Sequence, residues 1–556
     1  MRAIATISLV VLAGAALTHA QGRGGGAWST AGGDPQRTGW ARTDPRISKE
    51  SAAKPGLQLL WKRQLQKPSG SASLTQPVLL PNIISFKGFK ALAYLGGPAD
   101  TVYSIDYDLN RMFWETRLST AAKSTVPACA GGTIAVTRAA TLGAPAAGRG
   151  GRGQGGPTPP AAAAPPTPGA PGTPPPAGGA PAGIPPGAGS PAPAQGEAGR
   201  GRGAGGGGGG GFGGGRGAGN NVFAVSTTGM VHSLNPQTGE DLNPPAKFTG
   251  GSARLSGAVF IDNVVYAAVV EPCGGVASGV YAIDVTENAN TVSTFDAKGA
   301  RVAGALGPAF ASDGTLYVAT GASSGDATYA NAIVALESRS LKPKDWFTAG
   351  APFTSSPVVF TQGTRTLVAA ANADGSVYVL DAASLGGADH KTPLAKSPQF
   401  SQAKDFSAGA ITTWEDSGTR WIAAAGGGPV PAATKFGQSN GAASGGGIVA
   451  FRVAGGEGSP TLEPAWSSRD MAAPGAPIVL NGVVFAASAA AMEGSGARKG
   501  RAVLYALDAA TGKELWNSGN AMTSFVPGVP PSAGDGQVFV VTADGTLYAF
   551  GIPLEH

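Results

Sequence analysis

Few residues in this chain have the type and spacing to do chemistry. Gly321-Ala322-Ser323-Ser324-Gly325 has the Gly-x-Ser-x-Gly form. A nucleophile elbow of that form needs a strand before it and a helix after it. Leu316 to Thr320 reads as a strand, but Ala332 to Leu336 reads as a second strand, so the expected context is a loop within a sheet. A serine nucleophile also needs a histidine base. Beyond the first twenty residues the histidines are His232, His390 and His556. His232 alternates with apolar positions in a strand and His556 is the last residue, so a hydrolase triad does not assemble.

Asp106-Tyr107-Asp108-Leu109-Asn110 starts like a calcium loop. Position six is Arg111 and position twelve is Arg117, where an EF-hand requires Gly and Glu. A turn after a strand is the better reading. Trp414-Glu415-Asp416-Ser417-Gly418-Thr419-Arg420-Trp421 reads as a hairpin whose aromatic edge is exposed and able to take a ligand. The Arg-Gly tracts at 148–156 and 199–217, with Phe212, resemble nucleic-acid-binding segments. There are two cysteines, Cys129 and Cys273.

The elements that would position these residues follow one repeating pattern. A short alternating strand ends in a small turn, and a second strand follows of the form aromatic-small-aliphatic-Asp. Then come a turn and an outer strand that can end in Trp. The clearest copy is Leu504-Tyr505-Ala506-Leu507-Asp508-Ala509-Ala510-Thr511-Gly512-Lys513-Glu514-Leu515-Trp516. Others centre on Tyr103 with Trp114, His232, Tyr281, Val334 with Trp346, and Tyr378. Weaker copies centre on Val449 with Trp466 and on Tyr548. Period-2 alternation of Val, Ile, Tyr and Phe between Asp-Gly turns such as Asp374-Gly375 and Asp544-Gly545 is a strand signal. Repeated units of short strands indicate a propeller.

The reading is therefore all-β: an eight-bladed β-propeller of four-stranded antiparallel blades. A seven-blade alternative would require the copy at Phe451 to be something else. The unit at Tyr548 lacks an outer Trp strand, and Leu57-Gln58-Leu59-Leu60-Trp61-Lys62-Arg63 is an outer strand without inner partners. Pairing the two would close the ring and remove an exposed edge. On this fold Cys129 sits near the start of a blade-2 inner strand and Cys273 in a loop of blade 3. Both fall on one face of adjacent blades, which makes Cys129–Cys273 a disulfide candidate.

Composition sets the remaining boundaries. Residues 1–20 read as a secretory signal, with Arg2, an apolar run and Ala20 at the cut. Residues 21–56 form an N-terminal extension. Residues 57–138 and 220–556 carry the blades. Residues 139–219, made of Gly, Ala and Pro with scattered Arg, are expected to be a disordered insertion before the second strand of blade 2. The net charge of +6 resides in that insertion, in Arg2 and in Arg23, which leaves a neutral folded body. A neutral body gives no reason to expect nucleic acid as partner. No later stretch is apolar enough to span a membrane. The expected location is periplasmic or secreted, and the expected state is a monomer.

The unit at 504–516 and the opening Gly32-Gly33-Asp34-Pro35-Gln36-Arg37-Thr38-Gly39 resemble the repeats of the pyrroloquinoline-quinone (PQQ) propeller family, which includes quinoprotein alcohol dehydrogenases. The resemblance runs from Trp28 to Ile552 apart from the insertion. It implies either a quinoprotein dehydrogenase or a non-catalytic propeller, because one scaffold hosts several functions. The dehydrogenases of this family carry adjacent cysteines over the quinone, a Ca²⁺ held by carboxylate and amide oxygens, a catalytic Asp and a Trp floor. Here Cys129 and Cys273 are far apart, no Asp aligns to the base, and Cys-x-x-Cys-His is absent. The resulting expectation is a binding or scaffold module without the standard quinoprotein site. Its partner would be a protein, glycan or small molecule at the propeller face. A PQQ- and Ca²⁺-dependent dehydrogenase with an atypical site is the alternative.

Overall fold

The computed structural model describes residues 28–65, 74–85, 87–97, 100–118, 135–138, 221–271, 275–286, 290–324, 328–403, 406–456, 459–488 and 500–553. Cys129, Cys273, His556, residues 1–20 and the segment 139–219 lie outside them.

The alternating repeats form eight separate sheets. Blade 1 runs through Val78–Ser85, Gly88–Gly97, Thr101–Asp106 and Arg111–Arg117. Blade 2 is Ala135–Arg138, Val222–Val225, Met230–Leu234 and Ala246–Lys247. Its first two strands pair antiparallel, so residues 139–221 lie between them at that junction. Blade 3 spans Arg254–Ile261 to Val292–Asp296, blade 4 spans Ala300–Val302 to Pro343–Thr348, and blade 5 spans Val358–Gln362 to Ala395–Lys396. Blade 6 spans Ile411–Asp416 to Thr461–Ser467 and has the strand Gly446–Ala454, with Phe451, as its third. Blade 7 spans Ile478–Leu480 to Glu514–Asn517. Blade 8 is Ser532–Gly534, Gln537–Val541 and Thr546–Gly551, completed by Gln58–Gln64. That last pairing is antiparallel, with Lys62 opposite Tyr548, so the ring closes as the repeat pattern requires.

Apolar residues point from both faces of each sheet, because every blade packs against two neighbours. Phe223, Val225, Phe260 and Val265, for example, fill the space between blades 2 and 3. Indoles on outer strands lock successive blades. Trp466 of blade 6 is fully buried and its Nε1 donates to the Ala509 carbonyl of blade 7 at 3.0 Å. The ring lies on Gly512, whose φ is +70° and where a Cβ would come within 2.3 Å of it. Trp114 treats blade 2 alike, donating to the Pro236 carbonyl at 2.9 Å over Gly239. Trp61 donates to the Tyr107 carbonyl at 3.0 Å across the closing seam.

The opening segment, read as a non-repeat extension, has a definite place. Main-chain amides of Leu79, Phe310, Val359, Thr413 and Val479 donate to the carbonyls of Trp28, Pro35, Gln36, Thr38 and Gly39 in turn. Those five amides belong to the innermost strands of blades 1, 4, 5, 6 and 7. Thr30 Oγ1 reaches the Ala258 carbonyl of blade 3, and the Asp44 carboxylate accepts from Gly536 N of blade 8. A segment that touches all these inner strands must run along the axis. Trp40–Ala41 also adds a parallel strand to Ile478–Leu480. Residues 28–44 therefore fill the channel that a ring of eight blades would otherwise leave open.

Candidate functional site

Arg37 is the hub of the axial segment and is fully buried. Its Nε donates to the Pro308 carbonyl at 2.8 Å and its Nη2 to the Gly257 carbonyl at 2.7 Å. Nη1 donates to Thr30 Oγ1 at 2.9 Å and to the Ala31 carbonyl. Burial lowers the guanidinium to about 10, against the raising effect of Asp34. Asp34 accepts from both the amide and the hydroxyl of Thr38. Its carboxyl is pushed up by burial, partly countered by the Thr38 donors and the Arg37 charge. The pair fixes the segment that forms the floor of the cavity above it.

That cavity has a volume of about 400 Å³. It opens where inner strands begin, between Thr75-Gln76, Ser256-Gly257, Gly304-Leu306, Ser407-Gly409 and Pro527-Pro530, over Ala31. Its polar side chains are mostly committed to the scaffold. Gln76 accepts from Gly32 N at 2.8 Å and donates to the Pro531 carbonyl at 2.6 Å. Ser256 donates to the Ala305 carbonyl at 2.7 Å, and Ser407 to the Thr354 carbonyl at 2.8 Å. Arg254 supplies one cation at the rim. Among the described residues the lining holds no Asp, Glu, His, Cys, Tyr or Trp. Such a wall of neutral dipoles can orient a polar ligand by hydrogen bonds, and among the described residues it offers no group that takes up or gives a proton near neutral pH.

The residues singled out in the sequence fall elsewhere. Ser323 ends the strand Leu316–Ser323, and the next element is the strand Ala332–Leu336, so no elbow forms. His232 is buried with Nδ1 at 3.0 Å from Asp241. His390 stacks on Trp346 at 3.9 Å between ring centroids. Asp106 ends a strand and meets Lys90 at 3.1 Å instead of binding calcium in an EF-hand loop. The exposed aromatic edge expected at Trp414 and Trp421 is not there. The rings are 1 % and 6 % exposed and stack at 5.6 Å, because this hairpin packs on blade 7. The disulfide candidate Cys129–Cys273 lies outside the described residues. Sequence reasoning missed the axial role of Arg37 and Asp34; two charges amid Gly and Pro in the N-terminal extension were the available signal.

The comparisons with known proteins agree with this architecture. A family model described as outer membrane protein assembly factor BamB matches residues 459–552. No curated protein matches the chain. Among solved structures, the quinohemoprotein alcohol dehydrogenase of Comamonas testosteroni is similar with a TM-score of 0.54 and 14 % identity, over 96 % of this chain and 82 % of that one. The fold is that of the PQQ-type propellers. The quinohemoprotein alcohol dehydrogenase ADHIIG of Pseudomonas putida HK5 is similar with a TM-score of 0.53 and 13 % identity, covering 96 % and 81 % of the two chains. A europium-containing methanol dehydrogenase matches with a TM-score of 0.51 and 12 % identity, covering 95 % and 98 %. These likenesses show the fold.

The quinone and its metal can be tested against the donors present. A Ca²⁺ site needs six to eight oxygens with carboxylates among them. The described lining of the axial cavity has amide, hydroxyl and carbonyl oxygens only, and its floor is Ala31 rather than an indole. Among the described residues no three His, Cys, Asp or Glu side chains converge anywhere to hold a metal. These residues do not fit PQQ with Ca²⁺, and no step through that cofactor is derived.

Proposed function

We propose that this PQQ-type propeller is an exported binding or scaffold module that works without the standard quinoprotein site. The observation that carries this reading is the axial cavity, floored by a hydrogen-bonded segment and lined, among the described residues, by neutral dipoles and one guanidinium. Its ligand is a polar small molecule, a glycan or a loop of a protein partner, oriented by main-chain groups at the mouth. The signal-like residues 1–20 support export to the periplasm or beyond. Among the described residues no helix is long and apolar enough to cross a membrane.

The test is reconstitution of the purified protein with PQQ and Ca²⁺. The expected outcome is no bound quinone absorbance at micromolar protein and no dye reduction with alcohols or sugars. Stoichiometric quinone uptake with substrate-dependent dye reduction would replace this reading with the dehydrogenase one.

A further inference from the structure

Three outer-strand indoles do one job: each covers the groove between its own blade and the next. Trp61, Trp114 and Trp466 each donate to the carbonyl of the residue that follows the end of the next blade's third strand, or that strand's terminal Asp or Asn. These are Tyr107 after Asp106, Pro236 after Asn235 and Ala509 after Asp508. In blade 1 the indole lies opposite a small residue, since Trp114 pairs with Ser104.

Blade 2 breaks the rule. Its outer strand pairs Ala246 with Val231, just as Thr116 pairs with Val102 in blade 1. Further along, Leu234 lies opposite Asp241 and Leu242 N donates to the Ser233 carbonyl at 2.7 Å, so Leu242, Asn243 and Pro244 pass the place that Trp114 takes opposite Ser104 in blade 1, and none of them is Trp. Beside this stretch lies a cavity of about 240 Å³, walled by Phe223, Val231, Pro244, Ala246 and Val285, with Ser233, Asn243 and Asn290 as its polar side chains. Phe223 forms one wall, held by stacking on Phe260 at 3.9 Å. Ser233 is 6 % exposed, and its hydroxyl has no hydrogen-bond partner. Val285 follows Asp284 at the end of blade 3's third strand, so its carbonyl is the counterpart of the three acceptors above. No hydrogen bond from the described residues reaches that carbonyl. Blade 3 also lacks the indole, with Ser293 opposite Ala282, but there Arg339 of blade 4 reaches back to Asp284 and to the Asp262 carbonyl.

We propose that the groove between blades 2 and 3 is a binding site for a small planar aromatic ligand of the indole class. The ring slots between Phe223 and Pro244 over Ser233, and its N–H donates to the Val285 carbonyl. The volume is below the roughly 300–1,000 Å³ of pockets for drug-sized ligands, so the site admits a fused bicyclic ring and little more. The site is separate from the axial mouth, and its fate does not depend on what that mouth binds.

The test is titration of the full chain with indole, followed by calorimetry and saturation-transfer NMR. Wild type should bind saturably with Kd on the order of 0.1–1 mM, as expected for about nine well-buried atoms. 1-Methylindole, which cannot donate, should bind about tenfold more weakly. Pro244→Trp supplies the ring within the chain; it should raise Tm and abolish indole binding. If that variant does not fold, Ala246→Phe narrows the mouth and should weaken indole at least fivefold. Absence of saturable binding by wild type overturns the proposal, and so does unchanged indole affinity in a folded filled variant or equal affinity for 1-methylindole.

Discussion

At the scale of single residues, the buried charges of the axial segment stand out from a body held together mainly by apolar contacts. Arg37 makes four hydrogen bonds, three of them to carbonyls, and has only Asp34 to offset its charge. Replacing it by Met leaves the Pro308, Ala31 and Gly257 carbonyls without their donor, which costs about 1–3 kcal/mol per buried group. We expect a matching fall in the urea midpoint, and Arg37→Lys should recover little because an ammonium lacks the planar fork. Asp544 gives a pH signature. Burial raises its pKa, but donors from Thr542, Thr523 and Thr546 outweigh that and hold it below the ordinary value of 3.8. The unfolded chain then takes up the proton first as the pH falls. The stabilisation by Asp544 is present above about pH 4 and is lost below it. The Tm gap between wild type and Asp544→Asn should therefore shrink from pH 6 to pH 3. These roles were hard to read from sequence. Nothing in Gly-Asp-Pro-Gln-Arg-Thr-Gly says that the ring of blades will surround it, since that depends on contacts far away along the chain.

At the scale of elements, the sequence was far more legible. Alternation sets each strand's two faces, and both faces are buried between blades, so the Val, Ile, Tyr and Phe runs mark strands directly. The Trp and Gly positions of the repeat then gain a physical reason. Gly512→Ala must displace the Trp466 ring and adopt a left-handed φ, which should cost about 3 kcal/mol. Gly519 has a φ of +52° with nothing within 4 Å of a Cβ, so Gly519→Ala should cost only about 1–2 kcal/mol. Comparing the two by thermal unfolding separates the ring contact from backbone strain. What element reading got wrong was the Trp414–Trp421 hairpin. Charged neighbours suggested an exposed edge, but Glu415 and Arg420 pair with each other and leave the indoles inside. A short polar stretch does not reveal which of its residues face the neighbouring blade.

At the scale of the molecule, ring closure and the axial segment together make the propeller a single unit. Trp466→Ala empties a fully buried site and should cost about 3–5 kcal/mol, whereas Trp61 is only partly buried and Trp61→Ala should cost less. Trp61 sits on the seam where Gln58–Gln64 meets Thr546–Gly551. Its loss should also expose an unpaired strand edge and promote association, visible by light scattering, whereas Trp466→Ala should stay monodisperse. Closure carries a consequence for biosynthesis. The strand at 58–64 is made on the order of 500 residues before its partner at 546–551, roughly 25–100 s at ordinary elongation rates. For all that time the early strand lacks the main-chain partner that completes its blade. The nascent chain is thus kept from premature completion by its own topology, and the final hairpin sets the moment at which the native state first becomes accessible.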